Sequence, residues 1–439
     1  MKTKSKLVSV LALLCILCIA AAGCGGSDGG DGSSSAGDGD AKLSGTVEVW
    51  DPYYESLPEY TEAIKQLDSE FEKQNPGVTV KREAQPLETY EALIRSAFAS
   101  REGPDMMVME PAALGVLSFT KGLEVLNDRI TPEMEEQLTQ WNTVTAGYTT
   151  EGEHYGVPQG INGYAFYYNK QLFKKAGLPT KFEPKTWAEV MEAGEKLKAA
   201  GIQPFTGGNE EGYENQFWFS TGFHSVATPE ETKELAEGTL DYTDPVVAKA
   251  YEPSFEMEEA GLFPSDRFTT SLFNEGYARF ADGEGAMVLG LWNAVGYWGE
   301  FNPKLGEENV GFFLTPESDS VETVSSFGLT IPTLAKNKDA AWALIEFETS
   351  KRGIEVLDDP GGFMPNRKDV SLPPDAPIQA RELLNASREN EEVVAPSYMV
   401  PPSVAFGPMN TEVSEAMQGR ISLAEAQQAM QETAEKTAP

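Results

Sequence analysis

Histidine and cysteine are almost missing from this sequence, with two of the first and three of the second in 439 residues. His154 and His224 lie far apart, and Cys15 and Cys18, the one C-x-x-C pair, fall in the N-terminal apolar run that would leave with a signal peptide, so a zinc or haem enzyme is not expected, nor any metal or cofactor. Basic residues are scarce as well: 34 Lys and Arg against 69 Asp and Glu leave a formal charge of −35. Nucleic acid is bound by Lys and Arg that displace counterions from phosphates, so it is excluded as a partner. Adsorption to anionic lipid through protein charge fails for the same reason. What the chain does have is apolar material, 40% hydrophobic and 10% aromatic, which is incompatible with disorder throughout. At roughly 150 residues per compact unit the length suggests two or three of them.

The one long apolar run is N-terminal. Lys2, Lys4 and Lys6 precede Leu7 to Ala22. A membrane span needs about 20 apolar residues. This run is shorter and ends in small residues, so 1–23 read as a signal peptide. Ala21-Ala22-Gly23-Cys24 resembles a bacterial lipobox, with Cys24 the acylated residue, although Ala21 stands where Leu is usual. The competing reading cuts after Ala20-x-Ala22 and leaves Cys24 a free thiol. A lone exposed thiol is unusual in a secreted chain, which favours the lipid. The expected location is therefore the outer face of the cell membrane, or the periplasm if the cell has an outer membrane. Residues 24–43, rich in Gly, Ser and Asp, cannot offset the entropy of ordering and read as a flexible tether. Gly25-Gly26-Ser27-Asp28-Gly29 matches a nucleophile-elbow pattern, but no strand precedes it and no helix follows.

Beyond the tether, strand and helix signals alternate. Thr46–Trp50 reads as a strand, and Tyr60, Ile64, Leu67 and Phe71 lie on one helical face. Asn75-Pro76-Gly77 stops that helix. Val78–Val80, a helix through Phe98, and the buried strand Asp105–Met109 follow. This order predicts a parallel sheet with crossover helices, whose ligand edge lies past Trp50-Asp51 and Glu110-Pro111. A second α/β pattern holds the strand Tyr164–Tyr168 and a helix opened by the capping box Thr186-x-x-Glu189. It continues with the strand Gly285–Leu289, a helix capped by Asp339, and a C-terminal helical stretch broken at Gly419. Trp187 and Trp342 read as packing residues.

The ordered motifs Phe71–Gly77, Gly103-Pro104-Asp105, Tyr155–Pro158, Tyr167–Lys170, Thr186-Trp187, Phe280–Gly283, Gly290-x-Trp292, Lys336–Ala341 and Gly361–Pro365 span nearly all of the mature chain. Together they resemble the extracellular solute-binding proteins of ABC importers, in the carbohydrate-type family that includes maltose-binding protein. The resemblance implies an α/β, two-lobed periplasmic-binding-protein-like fold (type II), with hinge-linked lobes and central sheets flanked by helices. It places lobe 1 at 44–156, lobe 2 at 157–316, a return to lobe 1 at 317–368 and the C-terminal helices of lobe 2 at 369–439. It implies a monomer that closes over a sugar or oligosaccharide and passes it to permease subunits, without catalysis.

Sugars offer C–H faces to aromatic rings and hydroxyls to carboxylates and amides. The family pattern places Trp292 as a stacking ring after the Gly290 turn, Asn162 as a polar contact and Phe406 as a second ring. Glu110, at a strand end, would accept from hydroxyls, the alternative being a solvated carboxylate. Trp218 is balanced between stacking and core. Trp50, Asp51 and Tyr53 follow the first strand, and Asn209 and Phe363 complete the expected contacts. Two rival readings keep the same residues: a secreted glycosidase, which needs an acid and a base flanking one bond, and a receptor for a cation such as a polyamine.

Overall fold

A computed structural model of the chain gathers the alternating segments into nine linked strands with helices packed around them. It describes residues 42–118, 121–148, 152–292, 297–358 and 364–437. The expected signal peptide, Cys24, almost all of the tether and Phe363 lie outside the described residues. From Leu43 onward the chain forms one compact unit.

The strands are β1 (Gly45–Asp51), β2 (Val78–Ala84), β3 (Met106–Met109), β4 (Val157–Asn169), β5 (Gln203–Phe205), β6 (Gly285–Leu291), β7 (Val310–Phe313), β8 (Val321–Thr330) and β9 (Glu392–Val394). Their order is β2-β1-β3-β8-β4-β6-β5, with β7 paired to β4 and β9 to β8. β1 runs parallel to β2 and β3, as the crossover pattern predicts. β8 and β4 enter antiparallel, so the sheet is mixed rather than parallel throughout.

The helix Pro58–Gln74 starts with proline at its first turn, where no amide partner is lost. Tyr60, Ile64, Leu67 and Phe71 are at most 1% exposed, the apolar face that the spacing predicts. Burial of such side chains contributes about 1.5–3 kcal/mol each. Thr186 and Glu189 form the expected reciprocal cap. Asp339 does not cap its helix. Lys338–Glu348 begins after Asn337, and Asp339 instead meets Arg129 at 2.8 Å. Trp187 and Trp342 are buried, as expected of packing residues.

β4 positions everything that follows. All thirteen of its residues are buried. Its first part, to Gly163, pairs with β8, and from Tyr164 onward it pairs with β6 and β7. Val157 packs with Val49 and Leu329 in one apolar core, whereas Ile161 and Phe166 belong to another with Trp218 and Met287. One strand thus serves two cores. Between them Gly160 adopts φ +67, which few other residues tolerate, and its amide donates to Asn366 Oδ1 at 3.0 Å. A third core joins Phe219, Tyr251, Val404 and Met430.

Candidate ligand-binding cavity

Two strand ends meet at the site. Asp51 closes β1, and its Oδ1 accepts from the amides of Tyr53 at 2.9 Å and Tyr54 at 3.2 Å. That turn aims the Tyr53 hydroxyl at Glu110, just past β3, where it donates to Oε1 at 2.7 Å. The Tyr53 ring lies 4.4 Å from Phe327, centroid to centroid, which fixes its tilt. Burial pushes the Glu110 carboxyl above its ordinary value, and the Tyr53 hydrogen bond partly opposes it. The same two causes, burial and Glu110, push the Tyr53 phenol well above its own, so Tyr53 stays the donor.

Tyr53 and Glu110 form one wall of a cavity of about 380 Å³. Much of the remaining lining is aromatic: Tyr164, Tyr213, Phe217, Phe273, Tyr398 and Phe406. Tyr164 stands 4.8 Å from Phe217 and shares a 2.8 Å hydrogen bond with Ser397. Tyr213 lies 5.4 Å from Phe273 and meets Phe406 edge-on at 6.2 Å. Phe273 and Phe406 are 39% and 37% exposed, a water-facing state that rings leave when a partner covers them. Gln216 adds an amide to the lining, its Nε2 held by Asn410 Oδ1 at 2.7 Å. A second cavity of about 420 Å³ adjoins the first, sharing Leu87, Glu110, Pro402 and Phe406 and adding Tyr90, Glu91 and Arg95. A larger groove of about 1150 Å³ runs along β7 between the charged loops around Lys181 and Asp319. It touches neither strand end and none of the expected residues, so the aromatic cavity is the candidate site.

Of the expected residues, the structure brings Tyr53, Glu110 and Phe406 to this cavity. The others that are described sit elsewhere, and Phe363 lies outside the described residues. Trp292 is fully buried, its indole N–H donating to Tyr164 O at 2.8 Å and its amide to Asn162 Oδ1 at 3.1 Å. Asn162 is buried as well, and its Oδ1 also accepts from Gly163 N. Trp218 is core, packed among Phe166, Trp187, Phe205 and Phe263. Asn209 is buried, with Nδ2 donating to Asn215 and Ser414. Trp50 is partly buried against the Tyr90 cluster and its carbonyl accepts from Tyr90. Asp51 is fully buried, holding Tyr60 at 2.9 Å and Arg82 at 3.1 Å. Sequence reasoning missed Tyr164, Tyr213, Phe217, Phe273 and Tyr398. Only Tyr398, after the Pro396-Ser397 turn, carries a local signal, a ring on a loop.

No helix among the described residues is long and apolar enough to cross a membrane. Among the same residues, no group of three or more His, Cys, Asp or Glu could hold a metal ion.

Residues 54–355, well over half of the chain, match the bacterial extracellular solute-binding protein family, and the chain belongs to it. Over 341 residues it is 23% identical to the multiple sugar-binding protein of Streptococcus mutans, covering 74% of this chain and 77% of that one. A solved chitin oligosaccharide binding protein superposes with a TM-score of 0.76 at 22% identity, covering 90% of this chain and 99% of the other. The GacH receptor of Streptomyces glaucescens, solved unliganded and with acarbose, gives 0.67 at 21% identity, with 90% and 99% covered. Mixed α/β architecture, a central sheet flanked by helices, is common to these solute-binding folds.

Proposed function

We propose that the chain captures a sugar or oligosaccharide in the aromatic cavity and delivers it to the permease subunits of an ABC importer. The observation that carries this reading is the lining itself: six rings together with the hydrogen-bonded Tyr53–Glu110 pair. Rings suit the C–H faces of a pyranose, while Glu110 and Gln216 suit its hydroxyls. The names of the relatives, one sugar-binding and one chitin-oligosaccharide-binding, agree with it. Two stacked rings and a few charge-assisted hydrogen bonds at about 1.5–3 kcal/mol each reach the ~8 kcal/mol of micromolar binding after the cost of immobilising the ligand.

In this reading the protein is not an enzyme. Among the described residues Glu110 is the one carboxylate in the chamber lining, and hydrolysis of a glycoside needs two. Lobe 1 at 44–156 and lobe 2 at 157–316 close about β4, with the return at 317–368 and the last helices at 369–439. The protein acts as a monomer tethered through an acylated Cys24, facing the extracellular medium. A thermal-shift screen of mono- and oligosaccharides tests the proposal, because a ligand bound only by the folded state raises its melting temperature. One family of neutral sugars should raise it, and Tyr398→Ala with Phe406→Ala should abolish the rise. A silent panel, or release of reducing ends from a bound glycoside, refutes it.

A further inference from the structure

The cavity carries a charge imbalance that its shape alone does not require. Around the chamber the described lining residues are aromatic, aliphatic, amide or hydroxyl, with Glu110 the single carboxylate among them. Among the described residues no Lys or Arg stands in that lining. In the adjoining cavity Arg95 is already answered by Glu91, through Nε at 2.8 Å and Nη2 at 2.6 Å to the same oxygen. That pair sums to zero, and Glu110, which lines both cavities, is left over. Glu110 precedes the helix Pro111–Ser118, and its carbonyl accepts from Leu114 N. Glu110 Oε1 is taken by Tyr53, while among the described residues no hydrogen bond reaches Oε2.

We infer that Glu110 makes the site a charge filter, ranking amine-bearing sugars above neutral ones and neutral ones above uronates and sugar phosphates. This rests on the sugar-binding reading and adds a substrate class to it. Anion recognition uses Arg forks or Lys, and among the described residues the chamber lining holds neither, the Arg95 of the adjoining cavity being paired with Glu91. An ammonium finds a carboxylate oxygen with capacity to accept and ring faces that attract cations. A bound anion would sit against a carboxylate among rings, where water screens the repulsion poorly.

The test is calorimetric titration of the mature chain with matched sugars. The probes are glucose, galactose and mannose, their 2-amino and uronate analogues, and the α-1,4- and β-1,4-linked glucose trimers in neutral, amine and uronate forms. The expected result is about tenfold tighter binding of the amine than its neutral partner and about a hundredfold weaker binding of the uronate. Glu110→Gln should compress that ranking to within about threefold, whereas Tyr53→Phe, which keeps the carboxylate, should preserve it. Circular dichroism confirms that both variants fold. A flat ranking in the wild type, a preference for the uronate, or a ranking unchanged in Glu110→Gln overturns the filter and leaves the sugar-binding reading standing. Silence of every probe overturns both.

Discussion

Glu348 offers the sharpest test of the energetics. Arg82 is buried among three carboxylates: Asp51 at 3.1 Å, Asp68 at 3.0 Å and Glu348 at 2.5 Å. One cation cannot neutralise three anions, and Glu348 Oε2 has no partner among the described residues. Burial pushes the Glu348 carboxyl up to about 7 from an ordinary 4.5, against the pull of Arg82. Between those values the folded chain keeps a proton that the unfolded chain has released. Stability contributed by this group is therefore full below pH 4.5 and falls as pH rises through 7. The slope is at most about 1.4 kcal/mol per pH unit, so the whole loss is about 3 kcal/mol. Glu348→Gln keeps the shape of the protonated acid and cannot ionise, so it should gain about 3 kcal/mol on the wild type between pH 4.5 and 8. Urea unfolding followed by tryptophan fluorescence at pH 5, 6, 7 and 8 measures that difference. Burial also raises Glu214 and Glu392 to about 7, but their slopes are common to both proteins and cancel. Two stability curves that run parallel from pH 5 to 8 would show that Glu348 is charged throughout and refute the reasoning.

Arg82→Met removes the cation from the same cluster and leaves its carboxylates unpaired, so it should destabilise by about 3–5 kcal/mol, read as a lower urea midpoint at pH 7. Because Asp51 also holds the Tyr53 turn, sugar affinity should fall with it. Gly222→Ala tests packing instead. A Cβ there would stand 1.8 Å from the backbone oxygen of Ala250, so the helices Tyr213–Val226 and Pro245–Glu259 would have to separate. A loss of roughly 1–3 kcal/mol is expected, and an unchanged melting temperature contradicts the contact.

Much of the fold was legible because it rests on local rules. Apolar spacing gave the helix that buries Ile64 and Leu67, and the Thr186 cap came from four residues of sequence. The direction of β8 was not legible, since antiparallel entry beside β3 is decided by partners more than 200 residues away. Asp339 misled because acidic residues near a helix start serve either as caps or as first-turn charges, and only backbone geometry tells which. At the site, topology found Glu110 and Tyr53 because both follow strand ends. Tyr213, Phe217 and Phe273 come from the start of a helix and a short helical turn remote in sequence, and no pattern marks their convergence.

Four of the expected contacts that lie off the cavity support its lining from behind. Asp51 stands behind Tyr53 and fixes its turn. Trp292 stands behind Tyr164, holding its carbonyl, and Asn162 in turn holds Trp292. A side chain at Gly163 would strike that indole at 2.8 Å, so the glycine is part of the same fitting. Asn209 binds Asn215, which reaches the carbonyls of Met409 and Asn410 and so ties the helix carrying Tyr213 and Gln216 to the segment carrying Phe406. Asp51 and Trp292 thus lie one layer outside a lining ring, and Asn162 and Asn209 act one step further back, through Trp292 and Asn215, whereas Trp218 packs in the core. The physical reason is a division of tasks. Orienting a ring needs a buried, directional hydrogen bond, which restricts the supporting residue to few types, whereas the lining ring can be Tyr or Phe according to the ligand it meets. Motifs of this kind therefore mark the scaffold of a binding site more readily than its specificity, and specificity has to be read from the lining itself.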